Sequence, residues 1–384
     1  MKFIHTSDWH IGRQFHHVSL LEDQRHVLQQ IVALAVTHQV DAVLIAGDIY
    51  DRAIPPVEAV NLVDEVLYSL CVEHDIPVIL SAGNHDSQER LGFASRQLAQ
   101  SRLHIIGFQP QEPQPVILSD AHGEVAIYGI PYHDPATIRD LYQAEVSSHD
   151  QAAALLCEQI ISHRQANNYQ RSIVLSHCFI GGSTLCDSER PLSVGGSEQV
   201  AAEHFADFNY AALGHLHGAQ QRSKDTIRYS GSPLKYSFSE TGHIKSVTLV
   251  DMDEAGSCHS QALPLQALHD VRIIEGRLDE LIEQAAQTPL QQREDFLLAR
   301  LTDTTALLDP LQKLRAVYPN ILALERSGLL QQTTAAHPVR TRRRNHDELA
   351  MFADFYQQIQ QEPLSDEQHT IIKDLLTELQ RNED

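Results

Sequence analysis

VDAVLIAGDIYD, residues 40–51, carries one polar side chain (Asp41) in its first seven positions and then stops at Gly47-Asp48. A short apolar run bounded by Gly and Asp reads as a buried β-strand, and its polar end sets a carboxylate just outside the sheet. The same pattern recurs at Phe3-Ile4, IPVILSA (76–82), VAIYGI (125–130), SIVLS (172–176) and YAAL (210–213). Helical patterns lie between several of these runs. In PPVEAVNLVDEVLYSL (55–70) the prolines suit a helix start, and Val60, Val63, Leu67 and Leu70 recur at helical spacing. Strand, loop and helix in alternation predict an α/β sandwich whose sheets are covered by helices.

From about residue 225 the texture changes to hairpin-like stretches, TIRYSGSPLKYSFSE (226–240) and HIKSVTLVDMD (243–253). Beyond Pro264 the order is strand (VRIIEG), helix (LDELIEQAAQ), strand (DFLLARLT), helix (ALLDPLQKLRAVY) and strand (NILALERS), enough for a small α/β domain. Residues 331–345, QQTTAAHPVRTRRRN, lack apolar periodicity and read as a linker. Two amphipathic helices follow, one with Leu349, Phe352, Tyr356 and Ile359 at heptad-like spacing. The other opens on a Ser365/Gln368 capping box before Ile371, Ile372, Leu375, Leu376 and Leu379. The expected division is therefore 1–264, 265–330 and 331–384. Such helices have little core of their own and suit a partner surface, the alternative being that they pack back on their own domain.

The formal charge of −22 argues against a chain that grips nucleic acid unaided, since such proteins present a basic footprint. The dense basic run is Arg340–Arg344, and bound divalent cations would offset acid locally. The five cysteines form no CxxC pair, which argues against a disulfide framework or thiolate zinc site and suits a reducing cytosol. The start, MKFIHTSDWH, turns polar by residue 5, unlike a signal peptide or a membrane span. A cytoplasmic location is the expectation, with no membrane association.

The loops that follow the apolar runs read SDWHIG, GDIYD, GNHD, SHCFIGG and GHLH. Sites in open α/β sheets lie outside the carboxyl ends of the strands, where such loops converge. Gathered there are Asp8, His10, Asp48, Asn84, His85, His177, His215 and His217: carboxylate, amide and imidazole without thiolate, the donor mix of a hard to borderline divalent ion. Singly, each piece has a bland explanation. Asp8 and His10 suit a turn cap, Asp48 an N-cap, Asn84 a left-handed turn beside Gly83, His177 a satisfied core position, and His215 and His217 a solvated loop in which histidine recurs. Five such coincidences, each at a strand end, are better explained by one shared cause.

In these motifs the chain resembles the calcineurin-like metallophosphoesterases, whose signature runs D-x-H, GD-x-x-D, GNHD, a lone His, then GH-x-H; all five stand in order across residues 8–217. HTSDWHIG, AGDIYD, AGNHD, LGHLH and SGSPLKYSFSE sharpen the likeness to a branch of nuclease subunits that work with an SbcC-like ATPase. The resemblance implies a four-layer α-β-β-α sandwich with a small α/β cap domain and C-terminal helices. It implies two divalent ions, manganese being the family expectation: one held by Asp8, His10, Asp48 and His217, the other by Asp48, Asn84, His177 and His215. His85 would be catalytic, stabilising the scissile phosphate or protonating the leaving oxygen, with Asp51 and Asp86 orienting histidines or loop backbone. Two such ions activate water and clamp both oxygens of an in-line displacement.

The activity so implied is hydrolysis of DNA phosphodiesters in repair and recombination, as an exonuclease on duplex ends and an endonuclease on single strands or hairpins. The terminal helices would dock on the ATPase, and a homodimer would form through the helices near 57–70 and 87–100. The chain has no GxxxxGK[ST] of its own, so any ATP dependence would come from the partner. Two other readings stand beside it: a small-molecule phosphodiesterase or phosphatase on the same scaffold, and a scaffold subunit without chemistry. The intact ligand positions speak against the last. The cap-like domain and terminal helices speak against the small-substrate esterase.

Overall fold

The computed structural model describes residues 1–189, 198–305 and 307–327, and further on 352–353, 356, 363–365, 367–373 and 375. The described chain falls into two compact units. One comprises Met1–Ile273, Thr288–Leu298 and Tyr318–Ala323; the other comprises Ile274–Gln287, Ala299–Val317 and the described residues from Leu324 onward.

The first unit is built on two six-stranded sheets. From edge to edge, one orders its strands Cys258–Pro264, Ser246–Met252, Lys2–Thr6, Ala42–Ala46, Val78–Ser81 and Leu103–Ile106. The last four are mutually parallel, and the first two join antiparallel. The other sheet runs Gln220–Arg222, Lys224–Tyr229, Tyr210–Gly214, Arg171–His177, Gly123–Ile130 and Val116–Asp120, with a parallel centre and antiparallel edges.

Because successive strand residues point to opposite faces, each central strand is buried twice. Phe3, Leu44 and Ile79 meet Ile127, Ile173, Leu175 and Ala212 in the layer between the sheets. Ile4, Val43, Ile45 and Leu80 face the other way, against Leu28 and Ile31 of the helix Leu21–Thr37 and Leu62 and Val63 of Val57–Tyr68. On the far side, Tyr128, Val174 and Leu213 pack against Ile138 of Pro135–Tyr142 and Leu156 and Ile160 of His149–Ala166. The result is the four-layer α-β-β-α sandwich, and the near-continuous apolar strands follow from its being covered on both faces.

Two local readings change. The helix Val57–Tyr68 buries Ala59, Leu62, Val63 and Val66, whereas Val60 is 42% exposed. The helix carries two apolar stripes, and spacing alone does not say which one meets the sheet. The stretch 226–240 is a strand only as far as Tyr229. Its remainder is drawn into buried polar bonds: Ser230 Oγ to the His5 carbonyl at 2.7 Å, Ser232 Oγ to the Leu234 carbonyl at 2.7 Å and the Tyr236 amide to Glu240 at 3.1 Å. The Leu234 carbonyl and the Tyr236 amide are thereby taken by side chains and not by a hairpin ladder.

Beyond residue 264 strands Val271–Gly276, Phe296–Leu301 and Ile321–Arg326 pair in that order; helix Leu278–Ala285 and a further short helix, Leu290–Arg293, lie between the first two and Pro310–Arg315 between the last two. At the C-terminal end Ser365 and Gln368 form the reciprocal capping box, each amide donating to the other's side chain at 3.0 and 3.2 Å. The linker 331–345 with Arg340–Arg344, and Leu349, Ile359, Leu376 and Leu379, lie outside the described residues. Among the described residues no helix is long and apolar enough to cross a membrane.

Candidate metal centre

Asp8, His10, Asp48, His177, His215 and His217 are buried where the parallel strands end, with Asn84 and His85 beside them. Glycines make this convergence possible by removing bulk where backbones nearly touch. A Cβ on Gly214 would stand 1.7 Å from the Ala46 carbonyl oxygen, and one on Gly83 would stand 2.2 Å from Asp48 Oδ1. The loops are also bent hard. Asp8, His10, Asp48 and His215 all have positive φ (54°, 45°, 50° and 106°), a costly conformation for residues with a Cβ. Main-chain bonds hold the first loop to the second, from the Asp8 amide to the Gly47 carbonyl at 3.1 Å and from the His10 amide to the Asp48 carbonyl at 3.0 Å.

The side chains form three overlapping clusters, Asp8–His10–His217, Asp8–Asp48–His177 and His10–Asp51–His85, within each of which ligand-type atoms lie within 4.8 Å of one another. Asp48 Oδ2 stands between two of the histidines, 3.4 Å from His177 Nε2 and 3.6 Å from His10 Nε2. Asn84 Oδ1 lies 2.9 Å from His177 Nε2 and 3.3 Å from His215 Nδ1. His10 Nε2 and His217 Nε2 face each other at 3.1 Å. All seven ligand candidates are thus brought together.

The donor set fits a cation. Among the described residues Asp8 Oδ2 and His10 Nδ1 are buried without a hydrogen-bond partner, a costly state for polar atoms. Two imidazole nitrogens at 3.1 Å, each ring backed by a carboxylate, suit a shared positive charge. The electrostatics are those of carboxylates and imidazoles crowded together, in which burial would lower His177 but Asp48 outweighs it and raises the ring to about 9. Burial, reinforced by Asp48 and opposed by His177, pushes Asp8 up to about 8. Burial would also raise Asp48, but His177, His10 and His85 outweigh it and hold its carboxyl well below the usual range. Burial lowers His215 to about 3 and His217 to about 4, keeping both neutral as ligands require.

His85 sits beside this group, its ring 4.6 Å from that of His10 in an edge-on arrangement. Its Nδ1 lies 2.7 Å from the Asp51 carbonyl, so that carbonyl accepts the Nδ1 proton, and its amide donates to Asp48 Oδ1 at 2.8 Å. Asp86 gathers three loop amides, those of Ile49, Tyr50 and Gly83, at 2.9–3.1 Å. Asp51 pairs with Arg13 at 3.2 Å and stands 3.8 Å from His10 Nδ1.

Sequence reasoning did not single out Arg13, Gln24, Ser188, Glu189, Glu240 or Lys245. Gln24 Nε2 donates to the His10 carbonyl at 2.7 Å, and Arg13 lies over the Tyr236 ring. The remaining four surround His217. Nothing local marks them, because each is a single polar residue that reaches the centre only through a contact with another part of the chain.

Residues 1–219 match the family described as calcineurin-like phosphoesterase, and residues 267–360 match the type 5 capsule protein repressor C-terminal domain. Over 378 residues the chain is 32% identical to SbcD, the D component of the nuclease SbcCD, from Staphylococcus epidermidis, covering 98% of each protein. It is 31% identical over 383 residues to the protein of the same name from Staphylococcus saprophyticus, covering 99% of this chain and 98% of the other. Among solved structures, TT1561 of Thermus thermophilus aligns with a TM-score of 0.39 at 14% identity, over 68% of this chain and 98% of that one. The two curated relatives match this chain over nearly their whole length, and the phosphoesterase match contains every loop of the metal centre. The chain belongs to the calcineurin-like phosphoesterase family, on the branch of the SbcD nuclease subunits.

Proposed function

We propose that this chain is the nuclease subunit of an SbcC-like ATPase complex and hydrolyses DNA phosphodiesters with two divalent ions, manganese in the first instance. The observation that carries the reading is Asp48 Oδ2 poised between the Nε2 atoms of His177 and His10 at 3.4 and 3.6 Å. A carboxylate so placed serves two ligand sets at once: Asp8, His10, Asp48 and His217 for one ion, Asp48, Asn84, His177 and His215 for the other. When bound, such a pair activates water and stabilises the charge of an in-line displacement at phosphorus.

The chain's own work falls to His85. With Nδ1–H tied to the Asp51 carbonyl, the imidazolium form of the ring would give its Nε2 proton to the leaving oxygen as a general acid and be left neutral with its proton on Nδ1. DNA is favoured over a small phosphodiester because the likeness to nuclease subunits extends through the C-terminal third of the chain. Duplex ends would be trimmed exonucleolytically, and single strands or hairpins cut endonucleolytically.

Two surfaces support the partners. Ile54, Val60, Tyr68, Val72 and Phe93 are exposed along an apolar groove of about 520 Å³. A monomer has little reason to keep so many apolar side chains in water, and a second copy of the chain is the proposed occupant. Ile371 and Leu375 are exposed after the Ser365 cap and suit docking on the ATPase.

The test is cleavage of hairpin-ended DNA by the purified chain after EDTA treatment, with manganese restored, beside His85→Ala. Manganese-dependent nicking that disappears in the variant is expected. Hydrolysis of bis-(p-nitrophenyl) phosphate without nicking, even after the ATPase is added, would overturn the DNA assignment.

A further inference from the structure

The histidines of the metal centre are not all held alike. His177 Nδ1 lies 3.0 Å from the Ala46 carbonyl and His85 Nδ1 lies 2.7 Å from the Asp51 carbonyl, so main chain anchors both rings. His217 is anchored by side chains from two separate segments. Its Nδ1 lies 2.7 Å from Ser188 Oγ, and Ser188 Oγ lies 2.5 Å from Glu240 Oε1. Glu240 Oε2 accepts from Lys245 Nζ at 2.6 Å, and the same ammonium donates to the His217 carbonyl at 2.7 Å and to Ser232 Oγ at 2.8 Å. Glu189, next to Ser188, accepts the His217 amide at 2.6 Å. Glu240 is fully buried and Lys245 nearly so.

The proton directions in this circuit are forced. Lys245 only donates, and the Glu240 carboxylate paired with it accepts at both oxygens, Oε1 also receiving the Tyr236 amide at 3.1 Å. The single proton of Ser188 therefore goes to Glu240. Its oxygen is left to accept, and the donor facing it is His217 Nδ1–H. With the proton on Nδ1, Nε2 presents a lone pair toward His10 Nε2, 3.1 Å away.

We infer that Ser188 and Glu240 are positioning residues that fix the tautomer and orientation of His217, so that one of the two cation positions depends on the loop Cys186–Glu189 and the other does not. The inference rests on the two-ion reading above. Outer partners that orient a ligating histidine typically change metal affinity about 10–100-fold when removed, and the Asn84–His177–His215 side of the centre makes no contact with Ser188 or Glu240 among the bonds described.

The experiment is titration of the EDTA-stripped full chain with Mn2+, followed by calorimetry and by electron paramagnetic resonance, for the native protein, Ser188→Ala, Ser188→Thr and Glu240→Gln. Native protein is expected to bind two ions. Ser188→Ala and Glu240→Gln are expected to weaken one of them by roughly 10–100-fold while the other binds as before. Ser188→Thr, which keeps the hydroxyl, restores native binding. Glu240→Gln strips buried Lys245 of its counter-ion, so Ser188→Ala decides the matter if Glu240→Gln does not fold. Equal loss of both ions together with a lowered unfolding midpoint of the metal-free Ser188→Ala protein would mean a merely structural role and overturn the inference. Two ions bound with native affinity in Ser188→Ala would overturn it as well. Failure of the native chain to bind two ions would instead overturn the two-ion reading.

Discussion

The amide of His215 donates to Asp8 Oδ1 at 2.9 Å, so the last histidine loop fastens the first carboxylate from 207 residues away. The other oxygen of Asp8, Oδ2, is buried with no hydrogen-bond partner among the described residues. One side of this carboxylate therefore belongs to the fold, and the other is available to a cation.

Replacement of Asp8 by Asn separates those two roles. Asn keeps a carbonyl oxygen for the His215 amide and mimics the protonated acid, the form that burial favours with a pKa of about 8. The metal-free Asp8→Asn protein is expected to unfold at or above the native midpoint at pH 7. Its Mn2+ affinity should fall by more than the roughly 10–100-fold of an outer partner. Thermal melts and metal titration on one preparation check both halves.

His85→Ala is expected to lower turnover on hairpin DNA about 10²–10⁴-fold, the usual contribution of a positioned general acid. Mn2+ stoichiometry should not change, because Nδ1 of the ring is tied to the Asp51 carbonyl. Single-turnover cleavage beside a metal titration distinguishes this from simple loss of the ions.

Gly83→Ala tests the close approach of the loops. Its Cβ would lie 2.2 Å from Asp48 Oδ1 and 2.3 Å from the Asp48 amide nitrogen, and main chain cannot yield as a flexible side chain does. A loss of about 1–3 kcal/mol in denaturant unfolding is expected, as for other overpacked sites, with Mn2+ binding impaired in the fraction that remains folded.

Acid should destabilise the fold through His5, which lies outside the metal centre. Burial lowers its pKa from 6.5 to about 3, and the ring sits between the Tyr210 hydroxyl at 3.1 Å and the Leu213 carbonyl at 3.2 Å. Above pH 6.5 the ring is neutral whether the chain is folded or unfolded. Below it the unfolded chain takes up a proton that the folded chain refuses, so stability is lost as pH falls from about 6.5 toward 3. His5→Gln is expected to flatten the metal-free stability profile between about pH 6 and 4 by up to about 1.4 kcal/mol per pH unit. Urea midpoints across that range measure it.

Val60→Asp combined with Phe93→Asp places charge in the exposed apolar groove. If the proposed dimer forms there, sedimentation should shift from dimer to monomer at micromolar concentration, while hydrolysis of bis-(p-nitrophenyl) phosphate stays within about twofold of native, because neither residue is a ligand candidate. A variant that still sediments as a dimer would move the interface elsewhere.

The strands were legible because burial on both faces demands long apolar runs, and Ala42–Ala46 or Arg171–His177 satisfies that demand without help from its neighbours in sequence. The ligand-type residues were legible because each stands at the polar end of such a run. The buried stripe of the helix Val57–Tyr68 was not, since Val60 and Val63 are equally apolar and only the position of the sheet separates them. Fold class and the chemistry available at the strand ends were thus determined by the sequence itself, through patterns that repeat within a few residues. The surroundings of His217 were decided by the tertiary structure alone. Ser188, Glu240 and Lys245 are ordinary polar residues until the fold buries them together, and in a dry environment each hydrogen bond must then be satisfied by whichever segment happens to arrive there.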